Sequence, residues 1–262
     1  ATLFDVEASL FVPSGTMGNQ VSLHTHARPG DELICDDEAH IDWYEVGAAA
    51  ALSGLQIRTI PASGGLIDPA HIRAAIRPAN IHHPKTGIVA LENTHNRAGG
   101  VVLPLEVQRE VIEIAPGHDV KCHLDGARIW NAHAATGVPL GEWVRGFDSV
   151  SVCLSKGMGA PVGSLILGSR ELIEQARRMR KRFGGGMRQV GILAAAGIWA
   201  IDHQLPKMVD DHRRAKALAD ALRGMKGVRI LPDPPPTNIV VVEFDMPKYS
   251  PELILHTLDS KG

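Results

Sequence analysis

The chain has 262 residues, of which 44% are apolar and 21% charged, and a formal charge of −2. That length suits one to two domains with a sizeable core. The composition excludes a disordered chain, a basic nucleic-acid-binding field and a polyacidic tail. No apolar run approaches the ~18 residues that span a bilayer, the most apolar helical stretch being Val46–Leu55, and no basic-then-apolar leader opens the chain. Cys35, Cys122 and Cys153 are far apart and form no C-x-x-C, so they read as reduced, structural thiols of a cytoplasmic protein.

In chain order, Ala8–Val12 is an apolar run leading to the turn Pro13-Ser14-Gly15-Thr16 and a helix over Met17–His26. Strands are predicted at Glu32–Cys35, Gln56–Ile60, Ile88–Glu92, Val120–Leu124, Ser149–Leu154 and Gly163–Leu167, several of them short apolar runs of the kind buried on both faces. Helices are predicted between them at Asp42–Ser53, at Pro69–Ile76 behind the cap Asp68, and at Leu105–Ile114 behind Pro104. This alternation predicts an α/β domain with a mainly parallel sheet. After Leu167 come a basic amphipathic helix over Ser169–Phe183, a break at Gly184-Gly185-Gly186, and an Ala-rich helix over Arg188–Ile201. Pro206–Met225 has helical spacing, and Val228–Leu231 and Asn238–Phe244 read as strands flanking a Pro-rich turn. The expected division is a large α/β domain over 1–205 and the start of a small α+β domain over 206–262, with the boundary near Gln204–Pro206. The chain opens without an initiator Met and closes on Lys261–Gly262, where Gly reads as a helix stop, so residues are expected beyond both ends.

Three segments carry chemistry. Ser14-Gly15-Thr16 before a helix offers backbone N–H groups and two hydroxyls to a phosphate, or an ordinary N-cap. Asp125 ends a strand, where ligands of open α/β sheets bind, and could hold a protonated heterocyclic nitrogen; Arg128 follows one helical turn later. Lys156 ends the next strand, between Ser155 and Gly157, as a Schiff-base lysine would. A phosphate loop, an acidic strand end and a lysine on the next strand end together match the needs of pyridoxal phosphate.

Longer segments then show a resemblance. Phe11–Gln20, Glu38-Ala39-His40-Ile41, Tyr44-Glu45-Val46-Gly47, Glu92–Asn96, His123–Arg128, Leu154–Gly157 and Gly185–Gln189 run in family order across nearly the whole chain. The sequence resembles the low-specificity L-threonine aldolases, in the β-eliminating lyase group of fold-type-I pyridoxal-phosphate enzymes. The resemblance implies that Lys156 binds the cofactor aldehyde and that Asp125 pairs with the pyridinium nitrogen. Ser14, Gly15, Thr16 and Ser155 would hold the phosphate. Arg188 would reach the phosphate of a neighbouring subunit, making the protein a homo-oligomer. His40 would stack on the ring, and Arg128 would contact the phenolic oxygen or the substrate carboxylate. His95 would lie near the substrate side chain and is the first choice of base. The reaction implied is retro-aldol cleavage of L-threonine, L-allo-threonine and related β-hydroxy amino acids to glycine and an aldehyde. The family's N-terminal Arg-Ser-Asp-Thr arm and C-terminal carboxylate-binding arginine are not in this sequence. The alternatives are another fold-type-I lyase or aminotransferase, or a non-catalytic cofactor-binding form. Thirteen histidines show no H-E-x-x-H or Cys/His ligand spacing, so no catalytic metal is expected.

Overall fold

The computed structural model describes residues 1–245 and 250–261, so the helix stop expected at Gly262 lies outside the described residues. Strand β1 (Ala8–Val12) leads into helix α1 (Gly15–His26). Ser14 caps that helix, its hydroxyl oxygen accepting from the Met17 N–H at 3.1 Å. There follow β2 (Glu32–Asp36), α2 (His40–Trp43), α3 (Ala48–Ser53), β3 (Gln56–Ile60), and a two-rung hairpin of β4 (Ala62–Ser63) and β5 (Leu66–Ile67). Next come α4 (Pro69–Ala75), β6 (Thr86–Glu92), α5 (Leu105–Ile114), β7 (Lys121–Asp125), α6 (Ile129–Thr136), α7 (Leu140–Val144), β8 (Ser149–Cys153) and β9 (Ser164–Gly168). The chain continues through α8 (Arg170–Arg182), α9 (Gly191–Gln204), α10 (Met208–Leu222), β10 (Val228–Leu231), β11 (Val241–Phe244) and α11 (Pro251–Asp259).

Seven strands form one sheet in the order β1-β9-β8-β7-β6-β2-β3. The run from β8 to β3 pairs in parallel, whereas β9 is antiparallel to both β8 and β1. The loop 154–163 carries no crossover helix, so the chain can only return beside β8 in the reverse direction. β2, β6 and β8 are buried along their whole length, as in a sheet covered on both faces. Side-chain alternation then divides β7 and β8. Cys122, Leu124, Val150 and Val152 join a core with Trp130, Trp143 and Met208. His123, Asp125, Ser149 and Ser151, on the opposite face, are buried polar residues.

Several elements differ from expectation. The helix predicted over Asp42–Ser53 is broken into α2 and α3, with Val46 (φ 54°) and Gly47 (φ 67°) in the left-handed region. A β-branched residue there is strained, and Val46 is 97% exposed. The break turns Glu45 inward, where three hydrogen bonds hold it. The helix predicted from Arg188 starts at Gly191, the one from Pro206 runs over Met208–Leu222, and the strand from Asn238 starts at Val241. α6, α7, α11 and the hairpin were not predicted. α6 and α7 are too short to display a helical period clearly.

Candidate active site

The carboxyl ends of β6, β7 and β8 bring Glu92, Asp125 and the segment leading to Lys156 together, because Glu92 pairs with Asp125 and Asp125 with Ser151 in parallel register. Asp125 is 3% exposed. Its Oδ1 accepts from the Ala127 N–H at 3.1 Å and its Oδ2 from Asn19 Nδ2 at 2.9 Å. Asn19 reaches it because α1 lies across β7 and β8. Gly18 permits that approach: a Cβ there would stand 2.4 Å from Ser151 Oγ.

Glu45 is the second buried carboxylate. Oε1 accepts from Asn19 Nδ2 (2.7 Å) and His40 Nδ1 (3.1 Å), and Oε2 accepts from Gln20 Nε2 (2.6 Å). Burial raises its pKa, and the three donors pull the other way. The hydrogen bond from His40 to Glu45 raises the pKa of His40 against the effect of burial, with Asp125 adding to the rise. The His40 backbone N–H is held by Glu92 Oε2 at 2.7 Å. With Nδ1 tied to Glu45, a quarter of its side chain exposed and no partner for Nε2 among the described residues, His40 keeps Nε2 for a ligand. The ligand-type atoms of His40, Glu45 and Asp125 lie within 4.8 Å of one another. The N–H groups of Asn19 and His40 occupy those oxygens, so the cluster is hydrogen-bonded.

His95 is arranged differently. It is 1% exposed; Nε2 meets Asp36 Oδ1 at 2.9 Å, and Nδ1 accepts from the Ala98 N–H at 3.1 Å. Both ring nitrogens are therefore committed inside the protein, and the neutral ring carries its proton on Nε2. Burial disfavours its charge, but Asp36 and Glu92 leave the pKa above the ordinary value. A second proton, on Nδ1, would point at the Ala98 amide.

Lys156 is half-buried in a tight turn in which Gly159 N–H bonds the Lys156 carbonyl and Ala160 N–H bonds that of Leu154. Gly15 lies against the same strand end: a Cβ there would stand 2.8 Å from Cys153 Sγ. Burial raises the pKa of Cys153, whereas Lys156 and, more weakly, Arg128 lower it, which marks both cations as neighbours of this point. Ser14 spends its hydroxyl on the cap, and Gly18 N–H bonds the Ser14 carbonyl. Among the described residues the N–H groups of Gly15 and Thr16 have no protein acceptor and are left for an anion. Ser155 is exposed beside Lys156. Arg188 stands outside the cluster: it is exposed, precedes α9, and has no hydrogen-bond or ion-pair partner among the described residues. Paired free amides, a buried carboxylate and a lysine on adjacent strand ends fit the phosphate, ring nitrogen and aldehyde of pyridoxal phosphate.

Residues 1–247 match the family model described as beta-eliminating lyase. The chain belongs to the beta-eliminating lyase family. It is 44% identical over 267 residues to low-specificity L-threonine aldolase 1 of Arabidopsis thaliana, covering 100% of this chain and 75% of that protein. It is 43% identical to the low specificity L-threonine aldolase of Escherichia coli K12, over 85% of this chain and 66% of the relative. The solved threonine aldolase of Leishmania major superposes with a TM-score of 0.75 over 85% of this chain and 66% of its own, at 21% identity, a likeness of fold. This lyase is a fold-type-I protein and its cofactor is pyridoxal phosphate.

Asn19, Gln20, Glu45, Glu92 and His123 were not among the residues singled out in this lyase's sequence, although each lies inside a segment that carries the resemblance. Buried Glu and His inside otherwise apolar strands are the signal that could have found Glu92 and His123. Nothing local marks Asn19 or Glu45, whose partners lie on other elements.

Proposed function

We propose that this beta-eliminating lyase is an L-threonine aldolase, a carbon–carbon lyase cleaving L-threonine, L-allo-threonine and related β-hydroxy amino acids to glycine and an aldehyde. The observation that carries this reading is Asp125 at the end of β7 and Lys156 in the turn that follows the adjacent β8, with the unpaired amides of Gly15 and Thr16 against the same strand end, in a chain 44% identical to a low-specificity L-threonine aldolase. When bound, pyridoxal phosphate supplies an aldehyde for the substrate amine and a conjugated ring that accepts the electron pair of the breaking Cα–Cβ bond.

The residues divide the work. Lys156 Nζ is the amine that would hold the cofactor aldehyde. The Gly15 and Thr16 amides bind the phosphate, with Ser155 and the Ser14 cap at its edge. Asp125 accepts from the protonated ring nitrogen. Arg128 takes the substrate carboxylate or the phenolic oxygen, and Arg188 the phosphate of a neighbouring subunit. His40 would lie against the cofactor ring and take the β-hydroxyl proton at Nε2, while Glu45 stabilises the imidazolium that forms. His95, with neither ring nitrogen free, orders the wall near the substrate side chain through Asp36 and Ala98. The base is therefore His40 in preference to His95.

The protein acts as a homo-oligomer. α9 supports this: it is apolar all round, yet Ile192, Ile198 and Trp199 are exposed in the single chain. The chain from 206 onward is read as a smaller α+β domain, which the separate β10–β11 pair supports. Among the described residues no helix is long and apolar enough to cross a membrane. The three cysteines are unpaired and buried, which supports a reducing, cytoplasmic setting. The test is incubation with L-threonine and with L-allo-threonine while acetaldehyde and glycine are followed. Equal amounts of both are expected. Formation of a keto acid instead would make the protein an aminotransferase.

A further inference from the structure

A line of polar groups, buried at Asn19, His123 and Ser149 and half-buried at His26, runs from the active site beneath α1. Asn19 and His26 lie two turns apart on one face of α1, above His123 of β7 and Ser149 of β8, which are register partners. His26 Nε2 lies 2.8 Å from Ser149 Oγ, Ser149 Oγ 2.8 Å from His123 Nδ1, and His123 Nε2 3.1 Å from Asn19 Oδ1. Asn19 Nδ2 then meets Asp125 Oδ2 and Glu45 Oε1.

Only one arrangement of protons satisfies every contact with neutral rings. The two carboxylates require both N–H groups of Asn19, so its oxygen must accept from His123 Nε2–H. His123 Nδ1 is then bare and accepts the Ser149 hydroxyl proton. Ser149 Oγ in turn accepts from His26 Nε2–H. The reverse assignment would turn the Asn19 oxygen toward two carboxylates. Doubly protonated rings are disfavoured, since burial lowers the pKa of both His123 and His26 to about 4. Every donor in the chain thus points toward Asp125 and Glu45, and aligned hydrogen bonds of low-dielectric interiors reinforce one another.

We propose that His123, backed by Ser149 and His26, is a positioning residue for Asp125: one directed hydrogen-bond chain through Asn19 that locks both amide donors onto the Asp125 and Glu45 carboxylates. The purpose is electrostatic. Asp125 is nearly inaccessible to water, and the chain substitutes for solvent in supporting its charge. It also holds Oδ2 in place, leaving the rest of the carboxylate for the ring nitrogen. This rests on the role proposed above for Asp125.

The primary test needs no cofactor. Nitrogen-15 NMR of histidine-labelled apoprotein at pH 7 is expected to show His123 and His26 neutral with the proton on Nε2. His123→Phe, which keeps an aromatic ring but no polar atom, should lower kcat about tenfold with KM within twofold, because the Asn19 amide is no longer pinned. His123→Gln can donate to Asn19 and accept from Ser149, and should recover most of the loss. If His123→Phe does not fold, Ser149→Ala serves: Asn19 still holds the proton on His123 Nε2, but the chain loses the donor to Nδ1, so kcat should fall about threefold with KM within twofold, and an unchanged kcat there overturns the proposal. A proton on Nδ1 of His123, a cationic ring at pH 7, or unchanged kcat in His123→Phe overturns the proposal. Near-normal turnover in Asp125→Asn would instead refute the role of Asp125, a result distinguishable because the tautomers are read on apoprotein.

Discussion

Glu45→Gln isolates the charge behind His40 with little change of shape. In the wild type, Oε1 of Glu45 takes the Asn19 and His40 donors and Oε2 takes that of Gln20. A glutamine can keep its oxygen at the first position and present its amide nitrogen to Gln20. Gln20 Oε1 is buried without a hydrogen-bond partner among the described residues, so rotating that amide supplies the acceptor needed. What disappears is the negative charge. A hydrogen bond to an ionised partner contributes about 1.5–3 kcal/mol and a neutral one about 0.5–1.5, so the imidazolium formed at His40 loses roughly 1–1.5 kcal/mol. That corresponds to about a 5- to 13-fold fall in kcat. The sign of the pH effect follows from the same contact. Glu45 raises the pKa of His40, and a base must be unprotonated, so activity rises with pH through that raised value. In Glu45→Gln the acid limb should move to lower pH while kcat at the plateau falls. The assay is aldehyde release from L-threonine across pH, with cofactor content measured in parallel. A limb that stays in place, with kcat within twofold and cofactor retained, would refute His40 as the base supported by Glu45.

Four further outcomes can be measured. Lys156→Ala should lose covalently held cofactor and essentially all turnover; borohydride reduction followed by peptide mapping would place the adduct on Lys156 in the wild type. Gly65→Ala should lower stability by about 1–3 kcal/mol, read as a lower thermal midpoint, since φ is +77° and a Cβ would stand 2.8 Å from His95 Cγ. Stability should fall as pH drops from about 6.5 to about 4: the folded state resists protonating His123 while the unfolded chain accepts the proton, a loss on the order of 3 kcal/mol for that residue. Denaturant titrations at several pH values should show this slope reduced in His123→Phe. Arg188→Ala should weaken cofactor binding about 10- to 150-fold and favour subunit dissociation when cofactor is removed, as measured by spectroscopic titration and light scattering; a monomeric, fully loaded wild type would count against a shared phosphate site.

Local chemistry carried much of the architecture. Short apolar runs between turn residues located six strands of the sheet, and the Ser14 turn, Asp125 and Lys156 were legible because each sits where a strand or helix ends. Chain ends of elements are visible in sequence, since capping and turn residues act on their immediate neighbours. The direction of β9 was not visible, because it depends on which strand is available to pair and not on the composition of Ser164–Gly168. Nor was the break at Val46, where an unfavourable local conformation is held by contacts of Glu45 with Asn19, Gln20 and His40. The difference between His40 and His95 likewise lies in tertiary structure: both are histidines in motif segments, and only their partners separate a ring whose Nε2 has no acceptor or donor among the described residues from one bonded on both sides. Residue type and spacing set which groups can do chemistry, whereas protonation state and free valence depend on burial and on donors brought from far along the chain, which only the folded packing of α1 against the sheet supplies.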